Sequence, residues 1–241
     1  MYHSIDDSGS SISLDASAFE RHVRWLSESS VRVVPMTEIA RAPEDEDTVA
    51  LTFDDGFANF ESEAWPRLRE AGLPASLFVV TERVGTTNAW GGRTVSGIPD
   101  LPLLDWNALG RLAEQGVDLG AHSRTHRSLP GLSTAELEDE VLGSKRTLAE
   151  RIGTEPVTFA YPYGDWNDAC ADVAERNFVA ACTTELRILE ESDRRSLLPR
   201  LDAYYFGRAG TLESWGSLAF RARLRVRAAL RNAKSAVLKR G

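Results

Sequence analysis

The sequence predicts an α/β fold, a single domain built on a mostly parallel sheet or barrel. Short apolar runs alternate along the chain with amphipathic stretches of helical period, which is the pattern of βα units. The 241 residues are enough for one substantial core. Three polar, chemistry-capable segments each follow the end of a predicted strand, the edge at which parallel α/β proteins place their sites.

In chain order, residues 17–29 read as a helix with Phe19, Val23 and Leu26 on one face, which leaves His22 on a surface helix without a role. Residues 31–34 are a short strand. The polar stretch PEDEDTV then leads to a buried-type strand, VALTF at 49–53, that ends directly at Asp54-Asp55-Gly56. A helix over 60–71 is closed by Gly72, a C-cap signal. The run ASLFVV at 75–80 is the next strand, and a loop bearing Gly and Pro follows over 86–102. Residues 105–115 form a helix ended by Gly116, and strand 117–121 delivers the chain to HSRTH. Ser133 with Glu136 makes a capping box for a helix to about residue 151. Strand 157–160 runs into YPYGDWN, a helix covers 167–177, and strands are expected at 179–183 and, more weakly, at 201–206. Helix is expected beyond about residue 211.

A hydrophobic share of 42% and a charged share of 27% are ordinary for a globular chain. The net charge of −8 argues against a general nucleic-acid binder, which needs a basic surface to meet phosphate. From Gly216 to Gly241 there are eight bases (Arg221, Arg223, Arg225, Arg227, Arg231, Lys234, Lys239, Arg240) and no acid, so the remainder carries −16. The chain thus divides into an acidic body and a basic tail. Cys170 and Cys182 have no CxxC partner and read as small buried thiols. No run approaches a membrane span, and MYHSIDDSGS lacks the basic and apolar regions of a signal peptide, so the expectation is a cytoplasmic protein.

The chemistry starts with Thr52-Phe53-Asp54-Asp55-Gly56. Adjacent carboxylates in extended chain point to opposite faces, and a turn at Gly56 allows both to line one pocket. Like charges held together raise one pKa unless a cation intervenes. A metal would resolve that conflict, taking one carboxylate as ligand and leaving the other as a base. Taken alone, the pair also fits a helix N-cap. Only four histidines occur, and His122 and His126 lie four apart, a spacing that on a helical turn puts both imidazoles on one side. Two imidazoles and a carboxylate form a hydrolytic metal set with open positions, for which zinc is the expected ion. Two unrelated histidines in a solvated loop are the alternative. The aromatic segment Tyr161-Pro162-Tyr163-Gly164-Asp165-Trp166 suits a rigid groove wall, with Tyr161, Pro162 and Trp166 set against a sugar; such turns also occur as plain packing.

Together TFDDG, HSRTH and FAYPYG, in this order, resemble the polysaccharide deacetylases of carbohydrate esterase family 4 over roughly residues 1–206. The resemblance implies a distorted (β/α)7 barrel, placed at residues 1–210; the charge asymmetry leaves 211–241 as a basic helical tail. It implies metal ligation by Asp55, His122 and His126, Asp54 as catalytic base, and the Tyr163 backbone N–H as an oxyanion donor. Most members carry an arginine before the Pro-Tyr of the third segment, where this chain has Phe159-Ala160-Tyr161; most also end in a Leu-x-His acid, and no histidine follows His126 here. Both departures resemble a circularly permuted branch that includes poly-N-acetylglucosamine deacetylases. In that branch a Tyr-His pair opens the domain, which gives the acid role to His3, and Arg200 stands in for the missing arginine. Only two residues precede His3, so the strand expected there is nearly absent; either the sequence is trimmed at that end or another element fills the barrel position.

The activity implied is metal-dependent hydrolysis of acetyl groups from a carbohydrate, N-acetyl before O-acetyl, on a polysaccharide or glycan precursor. Two other readings stay open: a non-catalytic, metal-containing glycan binder, and a deacylase of a small amide or imide. A binder has no need of Asp54 or His3, and the aromatic segment favours sugar. In the tail, Phe220, Leu224, Leu230 and Val237 follow an approximate apolar stripe, expected to pack on the barrel with a solvated basic face. The alternative is weak attraction of that face to an anionic membrane surface or acidic partner.

Overall fold

A computed structural model describes residues 1–43 and 46–238, with the side chains of 232 and 234–238 excepted. The strands are β1 (Ser4–Ile5), β2 (Ser13–Leu14), β3 (Arg32–Val33), β4 (Thr48–Val49), β5 (Thr52–Phe53), β6 (Ser76–Val79), β7 (Asp118–Ala121), β8 (Thr158–Ala160) and β9 (Ala180–Cys182). The α-helices are α1 (Ala16–Glu28), α2 (Met36–Ile39), α3 (Trp65–Glu70), α4 (Trp106–Glu114), α5 (Thr134–Ile152), α6 (Asp168–Asn177) and α7 (Leu218–Leu238).

Strands β5 to β9 form one parallel sheet in sequence order, as successive right-handed βα units require. Two single-residue bridges extend it, Tyr2 to Phe53 on one edge and Leu198 to Cys182 on the other. That makes seven positions around a curled sheet, in keeping with a distorted (β/α)7 barrel. Met1 closes the ring: its nitrogen donates to Leu201 O at 2.8 Å and its carbonyl accepts from Ala203 N at 2.9 Å. Met1 and Tyr2 therefore fill the position before His3, short as they are.

The helices start where side chains cap them. Asp15, Asp105 and Asn167 each accept the N–H three residues on, and Ser133 with Glu136 completes the expected capping box. Pro66 lacks the N–H that an α-helix over 60–71 would need. Residues Phe60–Ala64 open into a π turn in which Trp65 N–H reaches back to Phe60 O, and only then does α3 begin.

Three other expectations are corrected. The apolar run 49–53 is not one strand: Val49 pairs with Val33, whereas Thr52 and Phe53 pair with Ser76 and Leu77. Residues 201–206 are not a strand, because the Asp202 carboxylate accepts from Tyr204 N and winds residues Ala203–Phe206 into a 3-10 turn. His22 is not on the surface. It lies on the buried face of α1, with Nδ1 3.1 Å from the Tyr2 hydroxyl and Nε2 2.9 Å from Phe206 O.

Tyr2, Phe19, Phe53 and Phe60 interlock at ring distances of 4.8–6.0 Å around the Phe53 ring of β5. Both cysteines are buried and free. On α7, Phe220 and Leu224 pack against Leu186 and Phe206 as the stripe predicts, but Leu230 is exposed. The side chains of Lys234 and Val237 are not described, and Lys239 and Arg240 lie outside the described residues. Among the described residues no helix is long and apolar enough to cross a membrane.

Candidate active site

At the C-terminal end of β5 the chain turns sharply, with Asp55 (φ 73°) and Gly56 (φ 77°) both left-handed. Glycine adopts that geometry freely; at Asp55 it is a strained conformation held by the surroundings. The turn brings two adjacent carboxylates into one buried pocket.

Asp54 is clamped. Arg200, itself buried, donates from Nη1 to Oδ1 at 2.6 Å and from Nη2 to Oδ2 at 2.7 Å, while its Nε donates to Thr183 O at 2.7 Å. His3 Nε2 stands 3.9 Å from Asp54 Oδ2 at the rim of the pocket. Burial alone would raise the Asp54 pKa, but the Arg200 guanidinium, with His122 and His3, outweighs it and holds the carboxyl far below its ordinary value.

His122 directly follows β7, and its Nδ1 is 2.7 Å from Ala160 O. A carbonyl only accepts, so Nδ1 carries the proton and Nε2 is turned to Asp55 Oδ1, 3.4 Å away. His126 Nε2 reaches the same oxygen at 3.3 Å. The two imidazoles do not converge on a helical turn, as the four-residue spacing suggests. They converge through a loop in which Ser123 (φ 62°) and His126 (φ 63°) are left-handed and Ser123 Oγ accepts from His126 N at 3.0 Å. Burial dominates at His126 and lowers its pKa to about 4, so it is neutral near pH 7 and has a lone pair to offer.

A metal fits these residues. One donor atom from each of Asp55, His122 and His126 lies within 4.8 Å of the others, and all three residues are buried. Asp55 Oδ1, between two imidazole nitrogens, has no hydrogen-bond donor among the described residues. An orphaned buried carboxylate oxygen of this kind is costly unless a cation is its partner. A cavity of about 510 Å³ borders Arg200 and Thr52 but none of these three residues. The donor set, rather than cavity size, locates the site.

The third segment is built differently from expectation. Tyr161 is fully buried and donates its hydroxyl to Ser196 O at 2.9 Å, and Pro162 is buried beside it, so neither is placed to face a sugar. Trp166 is exposed. The exposed aromatic over the site is Tyr163, whose ring meets His126 at 4.6 Å. Tyr163 is left-handed (φ 59°), and among the described residues none accepts from its N–H. Gly164 is required there: a Cβ would stand 2.1 Å from Thr184 Oγ1 and 2.6 Å from its backbone nitrogen.

Two residues escaped the sequence reading. Trp90 stacks on His126 at 4.2 Å from the loop after β6; a tryptophan beside two glycines at a sheet's C-terminal edge was the available signal. Glu140 on α5 is buried and accepts from Arg124 N and Thr125 N, both at 3.0 Å, and from Thr125 Oγ1 at 2.6 Å. It ties down the loop between the two histidines, and nothing in its own helix pattern marks it.

Residues 41–180 match the family model for polysaccharide deacetylases. Among curated relatives, YxkH of Bacillus subtilis is 26% identical over 192 residues, covering 77% of this chain and 63% of the relative. The poly-beta-1,6-N-acetyl-D-glucosamine N-deacetylase of Staphylococcus aureus is 26% identical over 161 residues, covering 65% and 55% respectively. The chain thus spans less than two thirds of the length of these relatives. IcaB from Ammonifex degensii superimposes with a TM-score of 0.70 at 21% identity, over 84% of this chain and 91% of its own. The Streptococcus pyogenes deacetylase PplD also gives 0.70 at 21%, over 83% and 89%. At that identity the structural likeness speaks for the fold.

Proposed function

Because the chain belongs to the polysaccharide deacetylase family, we propose that it hydrolyses acetyl groups, N-acetyl in preference to O-acetyl, from a polysaccharide or glycan precursor with the help of a divalent ion. The observation that carries this reading is the adjacency of two sets: the buried donors Asp55, His122 and His126, and the chain Arg200–Asp54–His3 beside them. Two imidazoles and one carboxylate make zinc the first choice of ion. When bound, the ion would polarise the acetyl carbonyl and acidify a water.

The side chains supply the rest. Asp54 takes the proton of the attacking water, and Arg200 keeps it ionised and oriented. A carboxylate so tightly paired is a weak base, so it acts only on a water that is already acidified. The Tyr163 N–H, without an acceptor of its own, donates to the developing oxyanion. His3, reaching Asp54 from the edge next to β5, protonates the departing amine, which leaves poorly as an anion. An acid that precedes the base in sequence yet meets it in space is what a circularly permuted branch calls for. The Staphylococcus aureus relative, named for poly-beta-1,6-N-acetyl-D-glucosamine, supports an N-acetylated glucosamine polymer as substrate class. Trp90 and Tyr163, flanking His126, offer ring faces for a sugar in place of Tyr161 and Pro162.

Acetate release from a panel of N- and O-acetylated glycans, with and without chelator, tests the proposal. Chelator-sensitive release from an N-acetylated glycan is expected; no release from any member after zinc, cobalt or manganese supplementation would overturn it.

A further inference from the structure

Helix α7 carries two faces with apolar side chains. Its inner face, Phe220 and Leu224, packs on Leu186 and Phe206; Arg227 lies over the Tyr205 ring at 5.5 Å, and Arg231 approaches Asp202 at 3.9 Å. The outer face has no partner among the described residues. Leu218, Ala222, Val226 and Ala229 repeat at the three- and four-residue spacing of one helix side, with Leu230 next to them. All are exposed, Leu218 at 87%, Val226 at 60% and Leu230 at 61%. Arg221 and Arg225 border this stripe on one side and Arg223 on the other, each exposed. In the bare sequence these arginines merely alternate. Once Phe220 and Leu224 fix which side faces inward, Arg221 and Arg225 fall along one edge of the outer stripe and Arg223 along the other.

We propose that this outer face of α7 docks on an anionic lipid surface, with the apolar stripe at the boundary of headgroups and acyl chains and the flanking arginines on lipid phosphates. An occupant must cover exposed Leu and Val side chains and also supply negative charge along both edges, in a segment of eight bases and no acid. A lipid interface meets both requirements. A second copy of the stripe would set arginine against arginine. A nucleic acid would pair the arginines but leave the apolar stripe wet.

The test is sedimentation of the full chain with vesicles of phosphatidylcholine alone, or of phosphatidylcholine and phosphatidylglycerol in equal parts. Binding is expected only to the anionic vesicles, weakening about tenfold or more between roughly 0.02 and 0.5 M salt. A Val226→Ser/Leu230→Ser variant keeps every charge and should bind about tenfold more weakly at low salt. Both positions are exposed, so its melting temperature should match the parent's. An Arg221→Gln/Arg223→Gln/Arg225→Gln variant should lose both affinity and salt dependence. Absence of binding to anionic vesicles at low salt would overturn the proposal. So would parent-like binding by the serine variant, which would reduce the contact to charge alone. A concentration-dependent dimer abolished by the serine substitutions would assign the face to a second copy. Binding of a DNA duplex as tight as that of the anionic vesicles would assign it to nucleic acid, and either result counts against lipid.

Discussion

Arg200 grips both carboxylate oxygens of Asp54, at 2.6 and 2.7 Å, across 146 residues of sequence, and both side chains are buried. Breaking a buried pair strands its partner. Arg200→Met should therefore cost on the order of 3–5 kcal/mol of stability, read from chemical unfolding. Arg200→Lys keeps the charge but loses the two-pronged geometry; it should recover part of that stability and little of the turnover. Parent-like stability for Arg200→Met would show that the ion pair does not anchor the pocket.

Asp55, His122 and His126 should hold one divalent ion per chain. Elemental analysis of His122→Ala should show metal content falling well below one equivalent, because two remaining donors hold a divalent ion far more weakly than three. Unchanged content would place the ion elsewhere.

Glu140 should matter to the ion without touching it. It accepts three hydrogen bonds from the loop that carries His126. Glu140→Ala should weaken metal affinity about 10–100-fold by titration calorimetry, the range typical of groups that orient ligands. Glu140→Gln, whose carbonyl can accept both N–H groups and whose amide can donate to Thr125, should restore most of it. Equal affinity in parent and Ala variants would make Glu140 a packing residue only.

His3 stands close enough to Asp54, 3.9 Å, to serve the leaving group. His3→Ala should reduce turnover of an N-acetyl amide more than that of an activated aryl acetate, whose phenolate departs without a proton. Equal losses on both substrates would point to a positioning role.

The sequence made the βα order readable because each strand is a compact apolar run and most helices carry side-chain caps. TFDDG and HSRTH also made the donor set legible, although the residues converge by other means than helical spacing. Left-handed Asp55, Ser123 and His126 do that, and only glycine advertises such backbone in sequence. His22 was within reach, since it lies one turn from Phe19 and Leu26 on the same face of α1; its polarity argued against burial, and the Tyr2 and Phe206 groups that satisfy it are remote in sequence. Val49 and Thr52 sit in one apolar run, and the run does not say that it serves two sheets. Tyr161 and Tyr163 are alike in composition, and only the turn at Gly164 separates the core ring from the exposed one.

Asp54, and not Asp55, is the proposed base. The most direct measurement is acetate release by Asp54→Asn on an N-acetylated glycan, with metal content determined on the same preparation. The substitution keeps shape and removes basicity. The expected result is about one equivalent of metal with turnover reduced about 10²–10⁴-fold. Metal retained with turnover within about tenfold of the parent would contradict the assignment and give the proton to another group.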